Sequence, residues 1–67
     1  MAFQKHRKIC FDHESGHKYP YVCTGWCEVG GIHIGDRFTD EVGEILIEAC
    51  REDGITVEVE EVVNAHK

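Results

Sequence analysis

Five side chains in the first half of the chain have the types and spacing for metal chemistry. Cys10, His13, His17, Cys23 and Cys27 fall within 18 residues, in the order C-x2-H-x3-H-x5-C-x3-C. Thiolate and imidazole close structural zinc sites, and short-spaced pairs joined by a longer arm are a common sequence form of such a site. Cys10, His13, Cys23 and Cys27 make a sterically reasonable set, with His17 or His6 as substitutes for His13. The set makes two demands on the chain. An extended Cys23–Cys27 segment would hold its thiolates roughly 13 Å apart at 3.3 Å per residue, so Thr24-Gly25-Trp26 must form a knuckle. Cys10 and His13 must also converge across a turn at Asp12. The competing reading buries Cys10 and Cys23 as small core residues, where free cysteine usually sits, and leaves the histidines in a polar loop. Cys50 falls on an apolar helical face and reads as core.

A Cys–His nucleophile pair can be drawn from Cys10 or Cys27 with His13 or His33. Sixty-seven residues leave little chain for a pocket and an oxyanion hole, so the expected role is non-enzymatic. Gly30-Gly31-Ile32-His33-Ile34-Gly35 has the glycine content of a phosphate-cradling loop but not its strand-to-helix placement.

The second candidate chemistry is charge. Glu41, Glu44, Glu48 and Glu52 line one stripe of a predicted helix, roughly 120° around from its apolar face. Arg51 is the nearby counter-charge, three residues from Glu48. Glu58 and Glu60 on the following strand are expected to continue the row. Such a row resembles the spaced negative charge of a phosphate backbone and suits a basic groove on a nucleic-acid-handling protein. A solvated face kept acidic for solubility is the plainer alternative. The net charge of −6 divides into +1 over residues 1–39 and −7 over residues 40–67. That asymmetry disfavours nucleic-acid contact through the C-terminal half, since phosphates need Lys and Arg. Tyr19, Tyr21 and Trp26, near Arg7, Lys8 and Lys18, offer an alternative stacking platform for single strands. Trp26 and one tyrosine are nevertheless expected in the core.

The positioning elements can be read from pattern. Lys8–Phe11 predicts a strand with Ile9 and Phe11 on one face. Asp12–Lys18 reads as a loop, Tyr19–Val29 as a second strand interrupted at Gly25, and Ile32–Ile34 as a short third strand before a Gly35-Asp36 turn. A helix is predicted from about Asp40 to Glu52, capped by Thr39 and stopped by Gly54. Its buried face is expected to be Val42, Ile45, Leu46, Ala49 and Cys50, with Ile47 exposed on a flank. Gly43 costs that helix about 1 kcal/mol relative to alanine. A competing reading makes Glu44–Ala49 a strand. Ile55, Val57 and Val59 alternate with polar residues as a last strand, with a bulge or end at Glu61 and a frayed tail over Asn64–Lys67.

The expectation is therefore a single α+β domain over residues 1–67: a small antiparallel-dominated sheet packed by one helix, with an all-β barrel as runner-up. A chain of this length buries only about 60% of its unfolded surface, which favours a staple such as a metal. No apolar stretch serves as a signal peptide or membrane span, so the chain reads as cytoplasmic, where clustered thiols stay reduced. In an oxidising compartment two disulfides would lead, with three pairings open. The expected function is an acidic interaction protein binding a basic protein partner. By size and charge it looks like virus-encoded inhibitors of nucleic-acid machinery, such as anti-restriction and anti-CRISPR proteins. A zinc-stabilised nucleic-acid-binding module is the alternative, and a thiol-dependent redox protein is a third. The open sheet edge also invites pairing into a homodimer.

Overall fold

The computed structural model describes residues 7–27 and 31–62. Strand β1 (Lys8–His13) pairs with β2 (Tyr21–Cys23), which pairs with β3 (Arg37–Phe38); helix α1 (Asp40–Glu52) then leads to β4 (Thr56–Glu61). The sheet order is β3-β2-β1-β4. The first two pairings are antiparallel, while β4 runs parallel to β1 from Lys8↔Thr56 to His13↔Glu61. The architecture is thus α+β, one helix on a small four-stranded mixed sheet that is not closed into a barrel. Its longest pairing is the parallel one. A helix linking β3 to β4 can return the chain in the parallel sense, which a tight turn cannot do.

Period-two alternation sets the faces. Ile9, Phe11 and His13 share a face with Tyr21, Cys23, Phe38, Val57 and Val59, and the helix packs there. Ile9, Phe11 and Cys23 are essentially sealed from water, and Ile47, Cys50, Ile55 and Val57 complete the core around them. Each fully buried large apolar side chain contributes about 1.5–3 kcal/mol. The Phe11 ring meets Tyr21 and Phe38 edge-on, at centroid distances of 6.2 and 6.1 Å.

The helix has its predicted bounds. Thr39 Oγ1 accepts the Val42 N–H at 3.3 Å, Asp40 and Glu41 lie in the first turn, and Gly54 follows with φ +84°. Its rotation differs from the prediction. Gly43, Ile47 and Cys50 are buried and Leu46 half-buried, whereas Val42, Ile45 and Ala49 are exposed. Gly43 is the reason: a Cβ there would clash with the Tyr21 ring, so its absence lets this face of the helix seat against the sheet.

Three strand boundaries also move. The second strand shrinks to Tyr21–Cys23, because the Thr24 and Gly25 N–H groups both donate to Cys10 O, at 2.8 and 3.3 Å. This bulge turns the chain off the sheet. Ile32–Ile34 is not a strand; Ile32 drops into the core and Arg37–Phe38 supplies the edge. At the other end β1 extends through Asp12 to His13, and β4 runs unbroken through Glu61, with the Val62 N–H still donating to His13 O. The predicted tail over Asn64–Lys67 lies outside the described residues.

Candidate functional site

The metal set divides in space. Because β1 is extended through His13, Cys10 and His13 project from opposite faces of the sheet. His13 lies on the helix side, its Nε2 3.3 Å from Asp40 Oδ1 and its ring edge-on to Tyr21 at 4.8 Å. Cys10 lies on the helix-free face against Gly25, whose Cβ, if present, would stand 2.7 Å from that of Cys10. Cys23 and Cys27 do come together. The chain turns at Thr24-Gly25, and both thiols are buried, with Cys27 close enough to raise that of Cys23. The Cys23 thiol also donates to Gly25 O, at 3.6 Å. Among the described residues no three His, Cys, Asp or Glu side chains converge as a metal site would require. His17 is occupied locally, its Nδ1 accepting the Tyr19 N–H at 3.0 Å, and His6 lies outside the described residues. The four proposed ligands therefore do not fit one zinc ion in this arrangement.

Thiol chemistry is muted by burial. Desolvation, reinforced by Cys27 and opposed by the hydrogen bond to Gly25, pushes the Cys23 thiol up to about 12 from an ordinary 9.0. Burial, with Asp53 nearby, also raises Cys50. Thiolate is the reactive form, so both groups are held in their unreactive state. Of the histidines drawn as bases, His33 is exposed at a turn where its backbone N–H donates to Asp36 Oδ2 at 3.1 Å.

The glutamates of α1 are all exposed. At 100° per residue, Glu41, Glu44, Glu48 and Glu52 occupy a sector next to the outermost line of the helix. None of them takes part in the ion pairs among the described residues, which are Lys8–Glu58, His13–Asp40 and Arg37–Glu14. Arg51, expected to relieve Glu48, makes no such pair. Glu44 Oε2 accepts the Tyr21 hydroxyl at 3.1 Å, which ties one end of the stripe to the core. Burial first, then this bond, raises the Tyr21 hydroxyl above its ordinary 10.0.

Glu58 and Glu60 do not continue that stripe. Their register with Cys10 and Asp12 sets them on the helix-free face, where Cys10, Asp12, Thr24, Gly25, Glu58 and Glu60 border a hollow of about 200 Å³. Glu58 there holds Lys8 at 3.2 Å. The residue of β4 that does stand on the helix side is Glu61, beside His13. Acidic charge thus flanks β4 on both faces.

Sequence reasoning missed the exposed apolar side chains next to the stripe. Ile45 is 66% exposed, lying between Glu41 and Glu52 on one side and Ala49 on the other, and Val42 is exposed one turn away. Apolar spacing misassigned them, because a glycine on the true buried face carries no hydrophobic signal. Trp26 is also exposed rather than core, with the Arg7 guanidinium 5.7 Å from its ring.

No protein-family model matches this chain, and no curated protein or solved structure matches it either. No helix among the described residues is long and apolar enough to cross a membrane.

Proposed function

We propose that this is a non-enzymatic interaction protein whose α1 surface binds a basic site on a protein partner, in the place that nucleic-acid phosphates would take. The observation that carries this reading is the exposed row Glu41, Glu44, Glu48 and Glu52, which makes no ion pair among the described residues. Carboxylates four residues apart are separated by roughly 6 Å along the axis at 1.5 Å per residue. A rigid helix thus presents charge at fixed intervals without ordering a flexible segment on binding. Keeping like charges adjacent opposes helix stability slightly, and a basic partner relieves it. Ile45, in place of the buried Ile47, supplies an apolar contact beside the charges.

Affinity capture with the native chain and with an E44K/E48K variant, each in low and high salt, tests this. The native chain should retain a partner that is eluted by salt and displaced by duplex DNA. The variant should bind it about tenfold or more weakly. Equal retention by the charge-reversed chain would overturn the reading.

A further inference from the structure

β4 closes one side of the sheet, and among the described residues its outer side has no partner strand. The ladder determines which main-chain groups face outward. The Thr56 N–H donates to Arg7 O at 3.1 Å and the Val62 N–H to His13 O at 2.8 Å. Even-numbered residues of β4 therefore turn their N–H and C=O groups toward β1, while Val57, Val59 and Glu61 turn theirs away from the sheet. The side chains divide by the same parity. Glu58 and Glu60 flank the edge on the helix-free face; Val57, Val59 and Glu61 flank it on the helix side. Val59 is 41% exposed and Val62, next along, 39%. Glu61 neighbours His13, which contacts Asp40, so the acidic start of α1 adjoins this edge.

We propose that the β4 edge captures an extended basic segment of a protein partner by strand addition. This rests on the reading that the partner is basic and adds the segment's conformation and residue pattern. Side chains of an added strand share the face of the residues they oppose. Those opposite Glu58 and Glu60 are lysine or arginine, and those opposite Val57 and Val59 are apolar. The outward N–H and C=O groups of Val57, Val59 and Glu61 hold the backbone, and alternation sets the register. A second copy of this chain fits the edge less well. Pairing β4 with itself sets glutamates against glutamates on one face, and like charges opposed across strands repel.

The probe is a short synthetic peptide alternating valine with lysine, compared with the same peptide N-methylated on its edge-facing amides. Amide hydrogen exchange of the isotope-labelled full chain is the readout. Saturating peptide should slow exchange at Val57, Val59 and Glu61 by about tenfold or more, and leave Glu58 and Glu60, already bonded to β1, unchanged. The N-methylated peptide should not bind. Val59→Pro removes an outward donor while sparing the ladder to β1, and should lose the peptide. An E58K/E60K variant, which leaves the backbone intact, should lose the lysine peptide and take up one alternating valine with glutamate. Protection confined to α1, or equal binding of the methylated peptide, overturns the proposal. So does protection without peptide that rises with protein concentration, which would assign the edge to a second copy. Retention of the captured partner by Val59→Pro but not by E44K/E48K overturns the edge proposal alone and leaves the acidic-helix reading standing.

Discussion

Cys23, Cys27 and Cys50 lie in the core, whereas Glu41, Glu44, Glu48 and Glu52 all stand in water. Both sets were candidates for function on type and spacing. The fold separates them because a thiol behaves as a small apolar group, at little cost to bury, while a lone carboxylate keeps its hydration. A cluster of cysteines in sequence is therefore weak evidence of a site until the strand faces are known. A stripe of glutamates on a helix is much stronger evidence of an exposed surface. Cys10, half-buried on the helix-free face, is the intermediate case.

The contrast can be broken most directly by thiol labelling. In the native protein Cys10 should react first with an aromatic disulfide, and Cys23, Cys27 and Cys50 roughly a hundredfold more slowly, through local opening. Denaturant should equalise all four. Fast labelling of Cys23 or Cys27 under native conditions would mean that the turn after β2 does not shield them.

The next largest effect concerns the contact that sets the helix on the sheet. In a free helix Gly43→Ala would stabilise by about 1 kcal/mol. Here the added Cβ meets the Tyr21 ring, so a net loss of about 3 kcal/mol is expected, read from the urea midpoint. A stabilised G43A variant would show that the helix presents a different face to the sheet.

Alkaline titration sharpens the same picture. Cys23, Cys50 and Tyr21 have folded-state values raised above their ordinary 9.0, 9.0 and 10.0. Below pH 9 these groups are protonated in both states, so their contribution to stability is fully present there. Above it the unfolded chain releases protons that the folded chain keeps, and stability falls as pH rises toward 12. Each group should add a slope of up to about 1.4 kcal/mol per pH unit, and Cys23→Ala should remove its share of the decline that begins near pH 9 while leaving that of Cys50. Urea midpoints from pH 7 to 11 check this; a flat profile would mean that the thiols are hydrated.

The smallest effect belongs to the glutamates. Glu48→Gln removes two like-charge neighbours at i±4 and should raise the thermal midpoint slightly, by about 0.2–0.5 kcal/mol per pair. A clear loss of stability would show that Glu48 has a partner within the fold.

Thr39, the acidic first turn and Gly54 are local signals, so the bounds of α1 followed from them. The alternation of Ile9 with Phe11, and of Val57 with Val59, likewise announced two half-buried strands. The buried face of α1 did not follow. The predicted face of Val42, Ile45, Leu46, Ala49 and Cys50 carries more apolar residues than the true one, which shares Cys50 and half-buried Leu46 with it and adds Ile47, and Gly43 registers only as a helix penalty. The placement expected for the metal set differs on a similar point. A turn at Asp12 looked natural for a polar stretch, yet pairing with Glu60 and Glu61 of β4, far along the chain, keeps Asp12 and His13 extended.

The helix, the alternating strands and the exposure of the α1 glutamates are local properties of the chain, since each depends on neighbours within a few residues. Tertiary structure alone decided the rotation of α1, the parallel seat of β4 at the sheet edge, and the division of acidic side chains between two faces. These depend on where distant backbones meet: Gly43 against Tyr21, and β4 against β1. No local periodicity encodes contacts between segments so far apart in the chain.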